Sequence, residues 1–103
     1  MVLVNTTFHV DTGLEDEWTA WAHGVYIATA SSAGYRHPLL MRVCSSREDS
    51  PGTTYALQIQ CDGPREASDW LDKLQPGLLQ EAASRWAHRV LHFTTVMEEV
   101  ERG

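Results

Sequence analysis

The sequence predicts one α+β domain that spans residues 1–103, with its elements in the order β-α-β-β-α-β. Three observations predict this arrangement. A chain of 103 residues has room for a single domain. Four short segments are extended in character, and three of them alternate apolar and polar residues with the period of two that strands show. Two longer segments repeat apolar residues at steps of three and four, which is typical of helices that bury one face.

The first half of the chain contains a strand, a helix and a second strand. The segment Val2–Val10 is rich in Val and Thr and alternates strictly, so it predicts a half-buried strand. Thr12 followed by Glu15 fits a capping box, which predicts that a helix begins there. An apolar stripe continues this helix until Gly34, a residue suited to end it. The second strand is predicted over Leu39–Cys44.

The second half repeats the pattern as strand, helix and strand. A polar connection over 45–52 ends in Pro-Gly, a turn signal, and leads into the predicted strand Thr53–Cys61. The next helix is predicted over 64–86. Pro76 should interrupt it and give a kink or two short helices, because the proline ring collides with the carbonyl group four residues earlier. The last strand is predicted over Val90–Val100.

Two right-handed β-α-β units in this order predict a four-stranded antiparallel sheet with both helices on one face, the ferredoxin-like arrangement. The other sheet face has no helix to cover it. We expect it to carry polar but uncharged residues, mixed with Leu3, Leu40, Ala56 and Val96. Such a face suits contact with a second copy, forming a dimeric α+β barrel; the alternative is a face exposed to solvent. The predicted barrel-face residues are Thr7, His9, Gln58, Gln60, His92 and Thr94.

Composition excludes several classes of function. The net charge is -6 and Lys73 is the single lysine, so neither nucleic acid nor an anionic membrane is an expected partner. The chain has no apolar run long enough to span a bilayer, and we expect Met1–Val10 to be a strand and not a signal peptide. Cys44 and Cys61 are expected to be buried free thiols of a soluble cytoplasmic protein. The four-residue spacing of His88 and His92 straddles a helix–strand junction, so no metal and no cofactor is expected.

A heavy aromatic load marks the candidate ligand site, since four tryptophans are many for a chain of this length. We expect these aromatic side chains to line a cleft between the helices and the sheet, unless they serve only to pack the core. Asn5 and Arg42 could supply polar contacts to a ligand there. The aromatic candidates are Trp18, Trp21, Tyr26, Trp70 and Trp86.

Four segments resemble a family of uncharacterised bacterial proteins of about this length within the dimeric α+β barrel superfamily. They are EWTAW at 17–21, TTYALQ at 53–58, LQPGL at 74–78 and FTTVMEE at 93–99. The resemblance covers nearly the whole chain in the same order. Two family histidines are replaced: His-Ile-Pro late in the first helix is Tyr-Ile-Ala at 26–28, and the histidine before the helix proline is Leu74.

The resemblance implies a range of functions, because this superfamily contains ligand binders, isomerases, haem-degrading enzymes and cofactor-independent monooxygenases. In the monooxygenases an Asn and a Trp assist oxygen chemistry, and Asn5 with Trp18 or Trp70 would be the counterparts. Our first hypothesis is a homodimer that binds a small apolar or aromatic molecule. The alternatives are a cofactor-independent monooxygenase or isomerase, and a non-catalytic regulatory or protein-interaction module.

Overall fold

The computed structural model describes residues 1–44 and 51–103, so most of the predicted connection over 45–52 lies outside the described residues. The strands are β1 (Val2–Val10), β2 (Arg36–Arg42), β3 (Thr53–Cys61) and β4 (Val90–Glu98). The element order and the ferredoxin-like sheet are confirmed: the strands are antiparallel and lie in the order β2-β3-β1-β4. A first helix over 15–32 and a second over 64–86 cover one face.

Each helix contains a wide π turn between two α-helical segments. The first consists of α-helix over Glu15–Trp21 and Ala28–Ser32 with π-helix over Ala22–Ile27 between them. The second consists of Pro64–Asp69, the π segment Trp70–Leu74, and Gln75–Trp86.

The second π segment explains how the helix accommodates Pro76. Proline has no N–H to donate, and its ring would collide with the carbonyl group of Asp72 in a regular α-helix. The π segment Trp70–Leu74 lies directly before Gln75 and widens the turn, so the chain continues as one helix. In place of two separate short helices, two α-helical segments are thus joined by a π segment directly before the proline.

The start of the first helix differs from the prediction. Leu14 is the N-cap residue and makes no side-chain capping bond, so the capping box predicted at Thr12 is wrong. A tight turn through Gly13, whose φ is +93°, delays the helix until Glu15. The Gly13 N–H donates to the Glu15 carboxylate at 2.6 Å, which satisfies one backbone donor in place of the predicted cap.

The second strand also differs, since it spans Arg36–Arg42 and not Leu39–Cys44. Arg36 pairs with Gln60, but the register shifts before Leu39 pairs with Gln58. This bulge contains His37, whose φ of 50° lies in the left-handed region. β4 ends at Glu98, two residues before the predicted end.

One hydrophobic core lies between the helices and the sheet. Its largest fully buried side chains include Trp18, Trp70, Phe8 and Leu57. Burying a side chain of this size contributes about 1.5–3 kcal/mol each relative to exposure. None of the helices in the described part of the chain has the length and apolar character needed to cross a membrane.

The two cysteines are free thiols with different surroundings. Cys61 is fully buried, and desolvation raises the pKa of its thiol to about 11, with a smaller contribution from Glu66. Cys44 is exposed just after β2, so the expectation that both thiols are buried is wrong for this residue. The reason is that β2 ends at Arg42, before it reaches Cys44.

The end of the second helix leads to a stability prediction. Ala87 has φ 48° and ψ -131°, a conformation that residues with a Cβ rarely adopt. We expect Ala87→Gly to raise the free energy of unfolding by about 1 kcal/mol, the relief of strain less the larger entropy of the unfolded glycine chain. Ala83 is exposed within the same helix, so Ala83→Gly should instead lower stability by about 1 kcal/mol. Urea denaturation measures the free energy of unfolding of both variants. A change of the same sign in both would contradict the prediction.

Candidate functional site

The five aromatic residues predicted from the sequence all lie between the helices and the sheet. They pack as a continuous cluster: the ring centroids of Trp18 and Tyr55 are 4.7 Å apart in a stacked arrangement. The rings of Trp21 and Trp86 meet edge to face at 5.6 Å. Each of these two indoles also donates its N–H to a carboxylate on the opposite helix, Trp21 to Glu81 and Trp86 to Glu17. The aromatic residues are Trp18, Trp21, Tyr26, Trp70 and Trp86, and all are buried.

A polar cluster lies inside this aromatic core. We use that name for Thr6, Tyr26, Gln75 and Thr94. The Gln75 Nε2 lies 2.7 Å from the Thr6 Oγ1 and 3.1 Å from the Tyr26 hydroxyl. The Thr6 and Thr94 hydroxyl oxygens are 3.1 Å apart, which joins β1 to β4. Four separate elements thus bring neutral hydrogen-bonding groups to one point.

The two π segments explain why Tyr26 and Gln75 reach the same point. A π turn inserts about one extra residue and rotates the following side chains around the helix axis. Tyr26 lies within the first π segment, and Gln75 follows the second directly. π turns are frequent at functional sites, so this pair of them marks the polar cluster.

The chemistry of the polar cluster favours hydrogen bonding over acid–base catalysis. Burial raises the pKa of Tyr26, although hydrogen bonds with Thr6 and Gln75 oppose this shift, so the phenol stays neutral near pH 7. The N–H groups of Trp18 and Trp70 are buried without a hydrogen-bond partner among the described residues. A buried donor left unpaired costs about 1–3 kcal/mol. The described residues contain no cluster of His, Cys, Asp or Glu suited to hold a metal.

An open groove of about 720 Å³ lies beside this core, where the helices leave β2 uncovered. We call it the edge groove. Its apolar floor is formed by Leu40 and Tyr55, and Tyr55 stacks on Trp18 behind it. Arg42, a candidate from the sequence, lines this groove together with Glu15 and Asp16 from the start of the first helix.

The sheet face away from the helices is the bare face. The register between the strands places on it mainly uncharged residues, many of them apolar and exposed. The exception is Arg36, which pairs with Gln60 at the start of β2 and forms an ion pair with Asp62. Phe93 is the most exposed large apolar side chain within the sheet, at 62%. The bare-face residues of the central strands are Leu3, Asn5, Thr7 and His9 of β1 and Thr54, Ala56, Gln58 and Gln60 of β3. Those of the edge strands are Leu39 and Met41 of β2, Val43 just after it, and Leu91, Phe93, Thr95 and Met97 of β4.

Four of the six predicted barrel-face residues therefore share the bare face, and two do not. His92 pairs with Phe8, and Thr94 pairs with Thr6, so both lie on the helix side of β4. His9 and His92 are thus on opposite sides of the sheet. The residues Leu40 and Val96, expected on the bare face, also lie on the helix side. The bare face is consequently more apolar than the sequence predicts.

Asn5 requires a second correction. It lies on the bare face, while Trp18 and Trp70 lie beneath the helices, so the sheet separates them. The Asn–Trp pair that the resemblance implied does not form. The Asn5 Nδ2 instead donates to the Thr7 Oγ1 at 3.2 Å along the same strand.

The sequence did not single out Thr6 and Gln75 as site residues. Thr6 lies between Val4 and Phe8 in the alternating set of β1 residues that is otherwise apolar. A polar residue at such a position is the signal that could have identified it. Gln75 is followed directly by Pro76 and is 4% exposed, unusual for a glutamine. A buried amide can be recognised only when its hydroxyl partners are known, and those partners come from other elements.

Several solved structures have the same fold. A protein named "putative antibiotic biosynthesis monooxygenase" from Deinococcus radiodurans superposes with a TM-score of 0.69 at 18% identity, covering 99% of this chain and 95% of that one. HapK from Hahella chejuensis gives 0.70 at 16% identity, covering 100% and 96%. A dimeric ferredoxin-like protein from an uncultured marine organism gives 0.54 at 14%, covering 99% and 100%. These identities establish the fold alone.

The chain has the fold of the antibiotic biosynthesis monooxygenase-like α+β barrel proteins. Residues 1–100 match the family described as Domain of unknown function (DUF4286), and the chain belongs to that family. The resemblance found in the sequence, to an uncharacterised family of about this length, is thereby confirmed. None of the proteins of curated function is significantly similar to it in sequence.

Proposed function

We propose that this protein is a homodimeric α+β barrel that binds a small apolar or aromatic molecule in the edge groove of each subunit. The observation that carries the binding role is the groove itself: a concave volume of about 720 Å³ that opens onto an aromatic core. Ligand sites typically have about 300–1,000 Å³, and this groove offers apolar contact at Leu40 and Tyr55 within a mainly polar lining. The free thiols fit a reducing, cytoplasmic location.

The groove residues define the kind of ligand. A flat ring can lie on Tyr55 and extend its stack with Trp18. A hydroxyl or carbonyl oxygen on that ring can accept from the Arg42 guanidinium, and a hydroxyl can donate to the Asp16 carboxylate. An anionic group would be repelled by Glu15 and Asp16, so we propose a neutral aromatic ligand.

The bare face supports the homodimer. When two copies contact each other through the same surface, a charged residue near the two-fold axis lies close to the identical residue of the partner and is repelled by it. A surface with few charges therefore suits such contact. Within the described strands this face carries one charged residue, Arg36, which lies at the start of the edge strand β2 and forms an ion pair with Asp62. Burying its exposed apolar side chains on a second copy removes them from water, which is the main favourable contribution to association. The marine protein of the same fold is described as dimeric.

Calorimetric titration with 2-naphthol tests the binding role. We expect binding with quenching of tryptophan fluorescence, because the ring would rest on Tyr55 next to Trp18. Arg42→Gln should weaken the affinity about tenfold, a loss of roughly 1.4 kcal/mol. Arg65→Gln, an exposed arginine on the second helix, is the matched control and should bind like the parent protein. No binding, or equal loss in both variants, would contradict the proposal.

A further inference from the structure

The bare face is uneven, because its edge strands and its central strands carry side chains of different length. Exposed apolar side chains follow its two edges, forming a β2 ridge and a β4 ridge. Between them, the central strands carry shorter and mostly polar side chains, which we call the trough. The β2 ridge consists of Leu39, Met41 and Val43, the β4 ridge of Leu91, Phe93 and Met97, and the trough of Asn5, Thr7, His9, Thr54, Ala56 and Gln58.

The ridges and the trough determine what space two facing copies enclose. This inference rests on the proposed homodimer. Sheets that pack face to face in alignment lie about 10 Å apart. The two-fold axis then lies in the plane of contact, either along or across the strands. Either axis places edge strands over edge strands and central strands over central strands. Ridges therefore meet ridges, and trough faces trough.

The trough side chains are too short to fill the space between the sheets. Thr7 and Ala56 are neighbours across β1 and β3, and they are flanked by the longer Met41 and Phe93 on the edges. One subunit alone already has a hollow of about 270 Å³ here, lined by Thr7, His9, Thr54, Leu91 and Phe93 and by part of His92. Closing two such faces leaves a cavity between two apolar seams.

The cavity retains hydrogen-bonding capacity. The Asn5 Nδ2 donates to Thr7, but its Oδ1 is buried without a partner among the described residues. If the oxygen and nitrogen of the Asn5 amide are exchanged, the NH₂ group becomes the buried group without a partner. His9 has less to offer, because its Nδ1 lies 3.0 Å from the Thr54 hydroxyl and its Nε2 donates to the Pro51 carbonyl at 2.8 Å. The Asn5 amide is enclosed within the subunit, so the half-buried amide of Gln58 is the group available to a ligand.

We infer that the closed barrel holds a second small-molecule site, made by the troughs of both copies and separate from the edge groove. It takes an uncharged molecule with one ring and an amide or hydroxyl group. A charged molecule is excluded because no Asp, Glu, Lys or Arg is among the described residues that line the hollow, so nothing replaces its lost hydration. Arg36 lies at the start of β2 and is paired with Asp62. The size is suitable, since a closed apolar cavity of roughly 150 Å³ already accepts benzene.

Binding of benzamide and benzoate, two molecules of equal shape and different charge, tests this site. Light scattering first establishes the dimer under the conditions of the titration. We expect the dimer to bind benzamide at least about tenfold more tightly than benzoate. Thr7→Leu should fill the trough and abolish benzamide binding while the dimer persists. Thr12→Leu, at an exposed turn, is the matched control and should leave binding unchanged.

Each contrary outcome identifies what has failed. A monomer by light scattering overturns the homodimer and with it this site. A dimer that binds no benzamide, or binds benzoate equally, overturns the barrel site while the edge groove and the homodimer stand. Binding unaffected by Thr7→Leu also overturns it, as the ligand would lie elsewhere. If Thr7→Leu fails to fold, Gln58→Leu serves as the second variant, because it removes the amide available to the ligand and should abolish benzamide binding.

Discussion

Phe93→Asp is expected to convert the proposed dimer into a monomer. Phe93 stands in the β4 ridge with 62% of its surface exposed, so in the dimer it would bury more apolar area than any other side chain of the bare face. The variant removes this contact and places an unpaired carboxylate in both halves of the interface. Burying a charge without a partner costs about 3–5 kcal/mol. This cost corresponds to at least a hundredfold increase in the dimer dissociation constant.

Val96 supplies the matched control for this prediction. It lies on the same strand and is 48% exposed, but its register with Val4 places it on the helix side of the sheet. Val96→Asp should therefore leave the dimer intact. Light scattering across a range of protein concentrations measures both variants, with circular dichroism to verify that each is folded. If Phe93→Asp remains as dimeric as the parent protein, the bare face is not the subunit interface.

Gln75→Leu is expected to have the largest effect on folding among substitutions that conserve volume. The variant keeps the size of the side chain but removes the donor that lies 2.7 Å from Thr6 and 3.1 Å from Tyr26. These hydroxyl groups are buried, and after the substitution they keep only the contacts of Thr6 with Thr94 and with Tyr26. Leaving a buried polar group unpaired costs about 1–3 kcal/mol. Because part of the network remains, we expect a loss in the free energy of unfolding within that range.

Gln80→Leu is the corresponding control, because Gln80 is exposed on the same helix. Its effect should stay within about 0.5 kcal/mol, as for most surface substitutions. Urea denaturation of both variants gives the comparison. A double-mutant cycle with Tyr26→Phe adds a check, since residues in one hydrogen-bond network should show losses that do not add. Equal stability of the two glutamine variants would show that the polar cluster does not contribute.

The sequence predicts β1 and β3 almost to the residue because each alternates cleanly between two unlike faces. In β1 the residues Val4 and Phe8 face the core, while Asn5 and Thr7 do not. β4 offers no such contrast. Its odd-numbered residues and its even-numbered residues both include apolar and polar side chains, so the pattern cannot decide which set faces the helices. The pairing of His92 with Phe8 decides it, and that pairing is a property of the sheet.

The candidate site divides in the same way. The aromatic stripes predict correctly that Trp18 and Trp70 lie beneath the helices, since helical spacing alone places them on the buried face. The stripes do not reveal Gln75, because its position depends on a π turn that shifts the helix register around Pro76. They also do not reveal that Asn5 lies on the far side of the sheet from both tryptophans.

The sequence by itself determined the order of elements, the ferredoxin-like sheet, the aromatic layer under the helices and the family. These follow from local periodicity, turn residues and composition, which act over a few residues at a time. Only the tertiary structure decided the polar cluster, the edge groove, and the two ridges with the trough between them. Each of those joins residues from separate strands and helices, and their positions are fixed by strand register and helix packing. The physical reason is that side chains distant in sequence share a surface only after the backbone hydrogen bonds have aligned the elements that carry them.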